Sequence, residues 1–307
     1  MAILEVHNLS ISFTKYTLGL RQQTTKVLDG VNLSAEAGEI VAVVGSSGSG
    51  KSLLAHAILG ILPDHAVMTG TIRYKGEVLD DKRKATLRGR EIALVPQSVN
   101  YLDPLIRVGS QVRTSVRDKD PVTEQRKIFK RYRLAEHVER LFPFQLSGGM
   151  ARKVLVSTAT VSGASLIVAD EPTPGMHPED VKEALQRFKE LAADGCAVLF
   201  ITHDIESALQ IADRVVVFYA GTTVEIASAQ DFTGQGERLR HPYSRALWQA
   251  LPQNDFSPIA GTQPSPSQLP TGCLFGPRCP RVVSECNLER PSIQEVRGGS
   301  VRCIRAT

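Results

Sequence analysis

The stretch GSSGSGKS, residues 45–52, has the GxxxxGKS spacing of a phosphate-binding loop, and few backbone geometries tolerate it. Gly45, Gly48 and Gly50 let the chain curl so that successive backbone N–H groups, those of Ser46 and Ser49 among them, point inward at phosphate oxygens. Lys51 supplies a point charge for β and γ phosphates, and Ser52 a hydroxyl ligand for Mg²⁺. A helix starting near Lys51 aims its positive end at the same anion. The flanks agree: EIVAVV (39–44) is a β-rich apolar run, and LLAHAIL (53–59) is helix-forming. A Gly/Ser turn that merely precedes a lysine does not require this strand, loop and helix order, so nucleotide binding is the first inference.

A chain of 307 residues with 42% hydrophobic residues can bury a substantial core in one large or two modest domains. The 36 Lys and Arg against 32 Asp and Glu leave a charge of +4, a mixed-sign surface that does not point to nucleic acid. No apolar stretch reaches the roughly 18 residues of a membrane span. The opening MAILEVHNLS lacks a basic region followed by an apolar signal core, so a cytoplasmic location is expected. Of five cysteines, Cys196 stands alone, while Cys273, Cys279, Cys286 and Cys303 gather near the C-terminal end. In a reducing compartment such a group favours metal or cluster ligation over disulfides.

Before the loop, residues 3–6, 9–13 and 31–34 alternate apolar and polar, with a Gly-containing turn expected at Asp29 and Gly30, as in an antiparallel region. Residues 99–145 are poor in β-branched runs and rich in helix formers, which predicts a helical insertion. Buried strands return at 166–169, 197–201 and 215–218, with a helix over 179–193 between the first two, so the core sheet is expected to be parallel. From about Phe232 the composition turns to Gly, Pro and Ser, which reads as a linker before the cysteine-bearing tail.

Two further segments carry chemistry. LSGG at 146–149 is a polar, glycine-rich turn opening a helix, a second phosphate cradle built on Ser147, Gly148 and Gly149. LIVADE at 166–171 is an apolar strand ending in two carboxylates, where Asp170 can hold Mg²⁺ through water and Glu171 can polarise an attacking water. Alone, each is weak, since Ser-Gly-Gly is common in loops and an acidic pair often opens a helix. In order with GSSGSGKS, they resemble the Walker A, signature and Walker B motifs of ABC transporter ATP-binding subunits, over roughly residues 3–230.

The resemblance implies an α/β fold, a P-loop NTPase core of ABC type with an antiparallel β subdomain. The ATPase domain would span 1–231, its helical insertion about 99–162, and a C-terminal extension 232–307. It implies MgATP hydrolysis, with Lys51 and Glu171 in catalysis and Ser52 and Asp170 at Mg²⁺. Gln97 matches the Q-loop glutamine at Mg²⁺ or the attacking water, and His203 the switch histidine at the γ-phosphate. Phe13 sits where an aromatic stacks on adenine, with Tyr16 near enough to compete. A lone Gln97, His203 or Phe13 would ordinarily be a strand end, a surface histidine or core, and position relative to the other motifs lifts each above that. In this family two such domains close head to tail, so Ser147 and Gly149 of one would face the ATP held by Lys51 of the other.

Two departures bear on that arrangement. Met176 and His177 stand where the family has a Leu-Asp pair, so the D-loop aspartate is missing and a heterodimer with a second ATPase subunit is expected. The signature helix reads Ala151, Arg152, Lys153 where a glutamine is common at the middle position. The tail, with RHPYSRAL (240–247) and GCLFGPRCP (272–280), resembles the extension of oligopeptide, dipeptide and nickel importer ATPases. That resemblance implies two membrane-spanning permease subunits, an extracytoplasmic solute-binding protein, a peripheral place at the cytoplasmic membrane face, and peptides, nickel or metal chelates as cargo. In some relatives such cysteines hold a [4Fe-4S] cluster, with structural zinc or unligated thiols as alternatives. A soluble ABC protein of translation or repair would carry two ATPase domains or a long coiled coil, and a non-hydrolysing regulator would not retain Glu171 and His203.

Overall fold

The computed structural model describes residues 2–16 and 22–306; the side chains of Lys15 and Tyr16, and with them the alternative adenine-stacking residue, lie outside the described parts. Strands β1 (Ala2–Tyr16) and β2 (Gln22–Glu36) pair antiparallel, Val6 opposite Leu33 and Leu9 opposite Val31. Their alternation buries Leu4, Val6, Leu9 and Ile11 against Leu28, Val31, Leu33 and Ala35. Asp29 and Gly30 are not a turn between strands. They lie inside β2, where Leu9 faces Val31 but Ile11 faces Leu28, and Gly30 takes φ +63 at this irregularity. A bulge and a turn both call on glycine's left-handed backbone, so the residue pattern does not separate them.

The chain then enters β3 (Ile40–Gly45), buried along its whole length, and α1 (Lys51–Leu59). Strands β4 (Ala66–Tyr74) and β5 (Glu77–Val78) complete a four-stranded antiparallel sheet in the order β2-β1-β4-β5. Helix α2 (Asp81–Leu87) leads to β6 (Ile92–Val95). Helices α3 (Val108–Ser115), α4 (Pro121–Arg131) and α5 (Gly148–Thr160) follow and pack on one another. The remaining core alternates β7 (Leu166–Asp170), α6 (Pro178–Ala193), β8 (Ala197–Thr202), α7 (Ile205–Leu209), β9 (Arg214–Tyr219) and β10 (Thr222–Ser228).

In the larger sheet, β9, β3, β8, β7 and β6 run parallel in that order. Val41 and Val43 of β3 face a core shared with α1 and the antiparallel sheet. Ala42 and Val44 face a second core with the helices. Burial on both faces explains the unbroken apolar run.

The segment after residue 231 docks on this body. Helix α8 (Pro242–Gln249) lies against β10, and the hairpin of β11 (Gln294–Val296) and β12 (Gly299–Val301) extends the large sheet, β12 pairing antiparallel with β10 so that Glu225 meets Val301. Tyr219, Tyr243 and Phe275 form an aromatic knot with centroids 4.5–5.4 Å apart. Where composition reads as a linker, the irregular backbone is held by arginines. Arg245 donates to the carbonyls of Gly236 and Leu239, and Arg278 to those of Ile259 and Ala260. Glycine and proline deny regular ladders; side-chain donors satisfy the carbonyls instead.

Candidate active site

The phosphate loop joins the end of β3 to α1. Gly45 pairs beside Phe218, and a Cβ there would approach the Phe218 carbonyl oxygen to 2.4 Å. Gly50 takes φ +93, which strains any other residue, and its Cβ would meet Leu28 Cδ2 at 2.4 Å. No side chain caps α1 and its first turn holds no acid, which leaves N–H groups and a positive helix end for an anion. A Cβ on Gly48 would meet nothing within 4 Å, so the loop has room on that side. Lys51 Nζ is 2.8 Å from the Gly45 carbonyl and 3.1 Å from that of Ser46, which holds the ammonium over the loop. Burial lowers the Lys51 pKa, opposed by the charges of Glu171 and Asp170. Ser49 is buried with its Oγ unpartnered, while its N–H donates to Ser46 O.

The two carboxylates arrive at the end of β7 in the same centre. The Ser52 hydroxyl donates to Asp170 Oδ1 at 3.2 Å, bridging residues far apart in sequence. Burial and the neighbouring Glu171 raise the Asp170 pKa, against the Ser52 hydrogen bond. Glu171 is 6% exposed and takes φ +47, a conformation rare outside glycine. Its backbone N–H donates to Ile201 O. Its Oε2 accepts from Thr202 Oγ1 at 3.2 Å, and its Oε1 accepts from His203 N at 3.1 Å and lies 2.8 Å from His203 Nδ1. Two residues at the end of β8 thus aim the carboxylate. Serine hydroxyl, buried aspartate and ammonium together form a donor set suited to a magnesium-bound triphosphate.

Among the described residues, the others singled out in the sequence take no part in the hydrogen bonds given above. Gln97 is exposed just after β6. Its backbone is held from the signature helix, where Arg152 donates to Pro96 O at 2.9 Å and Gln97 O at 2.6 Å. The Arg152 guanidinium is buried within electrostatic reach of Asp170 and Glu171. Ser147 caps α5 by accepting from Met150 N, and Ser147 and Gly148 are exposed. A Cβ on Gly149 would come within 3.3 Å of Gly175 O. Phe13 is half-buried, its ring 5.4 Å from the exposed ring of His65. Sequence reasoning missed Thr202 and His65. Thr202 offered one signal, its place beside His203 at a strand end.

The family model for "ABC transporter" matches residues 28–174, and that for "Oligopeptide/dipeptide transporter, C-terminal region" matches residues 224–286. A similar curated protein is the Bacillus subtilis oligopeptide transport ATP-binding protein AppD, 30% identical over 98% of this chain and 96% of its own. The chain belongs to the ABC transporter ATPases. The Bacillus subtilis dipeptide transport ATP-binding protein DppD is 32% identical over 97% of this chain and 92% of its own length. Among solved structures, a dimeric ATP-binding cassette in a post-hydrolysis state with ADP and phosphate aligns with a TM-score of 0.64. It is 25% identical over 74% of this chain and 98% of that one.

In this ABC ATPase the extension gathers the four C-terminal cysteines. Cys273, Cys279, Cys286 and Cys303 line one small cavity with His241, Phe275, Ile304, Arg281 and Arg305. Cys273 N donates to Cys286 O at 2.7 Å, and a Cβ on Gly272 would strike that same oxygen at 2.1 Å. Burial raises the thiol pKa of Cys273, Cys279 and Cys303, and thiolates nearby add to it. Among the described residues no three His, Cys, Asp or Glu side chains close on a single metal ion. Arg281 and Arg305 on the cavity wall would offset the charge of any thiolate formed there. Cys196 is apart, lining another cavity beside Arg187, and burial pushes its thiol up to about 12.

Proposed function

We propose that this chain is the ATP-hydrolysing subunit of a peptide importer, peripheral at the cytoplasmic membrane face, with two permease subunits and an extracytoplasmic solute-binding protein. The observation that carries the catalytic part is the convergence of Lys51, Ser52, Asp170 and Glu171: Ser52 bonds Asp170, and both carboxylates lie within electrostatic reach of the Lys51 ammonium. Oligopeptide and dipeptide names among the relatives favour peptides over nickel or metal chelates. For the permease contact, Tyr101, Leu105, Ile106 and Phe144 are exposed. Their segments are drawn together by the Val108 N to Leu141 O bond, giving an apolar face for a partner. No described helix is long and apolar enough to cross a membrane.

Lys51 and the uncapped N–H groups of α1 would bind the β and γ phosphates. Ser52, Asp170 and Gln97 would hold Mg²⁺, which when bound neutralises charge building on the phosphate oxygens. Glu171, aimed by Thr202 and His203, would polarise the attacking water, and His203 would also reach the γ-phosphate. Phe13 would stack on adenine. The exposed Ser147, with Gly148 and Gly149, would face the nucleotide of a second ATPase subunit, most simply a different chain, because Met176 and His177 replace the coupling Leu-Asp pair. Cys273, Cys279, Cys286 and Cys303 would ligate one [4Fe-4S] cluster that fastens the extension.

The deciding experiment isolates the assembled complex with its solute-binding protein and identifies the bound solute by mass spectrometry and metal analysis. Peptide is the expected ligand. Stoichiometric nickel or a metal chelate would overturn the cargo.

A further inference from the structure

The C-terminal extension touches the phosphate loop itself. Gln263 lies in PIAGTQPSPS (258–267), and its Oε1 accepts from the Ser46 hydroxyl at 2.6 Å and from Ala220 N at 3.3 Å. A backbone N–H can only donate, so Ala220 settles which end of the Gln263 amide faces the loop. Ser46 must therefore donate its one proton to Gln263. The anchor is stiff: Ala220 and Gly221 make the turn between β9 and β10 with φ +46 and +83, and a Cβ on Gly221 would meet Val27 O at 2.0 Å. Arg278 holds the approach, donating to Ala260 O at 2.7 Å, Ile259 O at 3.1 Å and Tyr219 Oη at 3.3 Å. From α8, the buried Tyr243 hydroxyl also nears Ser46, with no partner at hydrogen-bond geometry.

We propose that Gln263 is a positioning residue that pins the phosphate loop in its phosphate-binding curl, so that the C-terminal extension sets the affinity of this chain for MgATP. Ser46 sits between Gly45 at φ +155 and Gly48 at φ +75, in a run whose glycines admit several backbone shapes. A contact that selects one of them removes ordering cost from nucleotide binding. Loss of one partly buried hydrogen bond corresponds to a weakening of about 2- to 10-fold. The water-polarising carboxylate is held by Thr202 and His203, outside this contact, so for Gln263→Ala the effect falls on KM and leaves kcat unchanged.

The proposal rests on residues 45–52 being the ATP cradle, and a double-mutant cycle on the full chain separates the two claims. MgATP binding is measured by calorimetry for wild type, Gln263→Ala, Ser46→Ala and the double variant. Each single change is expected to raise Kd about 2- to 10-fold, with the double variant no weaker than the weaker single. If Gln263→Ala does not fold, Gln263→Met, which keeps the side-chain length and removes the acceptor, takes its place. An unchanged Kd, or losses that simply add in the double variant, would overturn the clamp while leaving the cradle intact. A wild-type chain without MgATP affinity would overturn both.

Discussion

At the scale of single residues, Glu171 combines a left-handed backbone with a carboxylate whose two oxygens are both engaged by the end of β8. An amide in its place keeps one acceptor oxygen, enough for the His203 N–H, but cannot polarise water as a carboxylate does. Glu171→Gln is therefore expected to bind MgATP within about 2-fold of wild type and to lose at least ~100-fold in kcat, read by calorimetry and phosphate release in the assembled complex. Wild-type turnover would remove Glu171 from the chemistry. His241 makes a pH prediction. It is fully buried and caps α8, its Nδ1 accepting from Tyr243 N at 3.0 Å, and burial holds its pKa down at about 3 against 6.5 for an ordinary histidine. The unfolded chain then binds the extra proton first, so stability is complete above pH 6.5 and falls as pH drops from there towards about 3. The slope is about 1.4 kcal/mol per pH unit from this residue. His241→Asn retains a capping side chain and does not titrate, so urea denaturation across that window should show a shallower slope; an identical slope would contradict the assignment.

Among elements, the union of β10, α8 and the β11–β12 hairpin turns on a buried ionic knot. Arg240 and Glu225, 3% and 0% exposed at their side chains, lie 3.3 Å apart. Arg240 also reaches Asp231 Oδ2 at 2.9 Å and the carbonyls of Val296 and Arg297, while Glu225 accepts from the backbone N–H groups of Arg240 and His241. Arg240→Ala leaves Glu225 charged and unpaired in the interior, and is expected to cost about 3–5 kcal/mol and raise hydrogen exchange in the hairpin. A loss below ~1 kcal/mol would mean that water replaces the guanidinium. The cysteine cavity lies in the same extension. Protein prepared without oxygen should be brown, and changing any one of Cys273, Cys279, Cys286 or Cys303 to serine should bleach it, whereas Cys196→Ser should not. Colourless protein with stoichiometric zinc would replace the cluster by a zinc site, and colourless metal-free protein would end the ligation proposal.

For the whole molecule, the exposed Ser147 and Gly148 are proposed to face the nucleotide of a second subunit. His177 holds the start of α6, its Nδ1 3.5 Å from Glu179 N, so its role within the chain is a helix cap. An aspartate there would cap equally well. The isolated chain is expected to hydrolyse ATP slowly and to gain activity with a partner ATPase and the membrane subunits. His177→Asp should raise the rate of any homodimer. Vigorous cooperative hydrolysis by the wild-type chain alone would contradict the heterodimer.

Local pattern alone determined the strand, loop and helix around residues 45–52, the parallel core strands and the acidic end of β7, because glycine spacing and apolar periodicity are properties of neighbouring residues. Tertiary structure decided what distant residues do to one another. Ser52 meets Asp170 across 118 positions, Thr202 and His203 aim Glu171 across 31 and 32, and Gln263 reaches Ser46 across 217. It also decided that Gly30 forms a bulge and that the Gly- and Pro-rich tail joins the sheet. Strands as short as Gln294–Val296 and Gly299–Val301 carry too few residues to show a period. Carbonyls held by arginines leave no periodic trace in sequence, because a flexible side chain finds them only once the chain has folded.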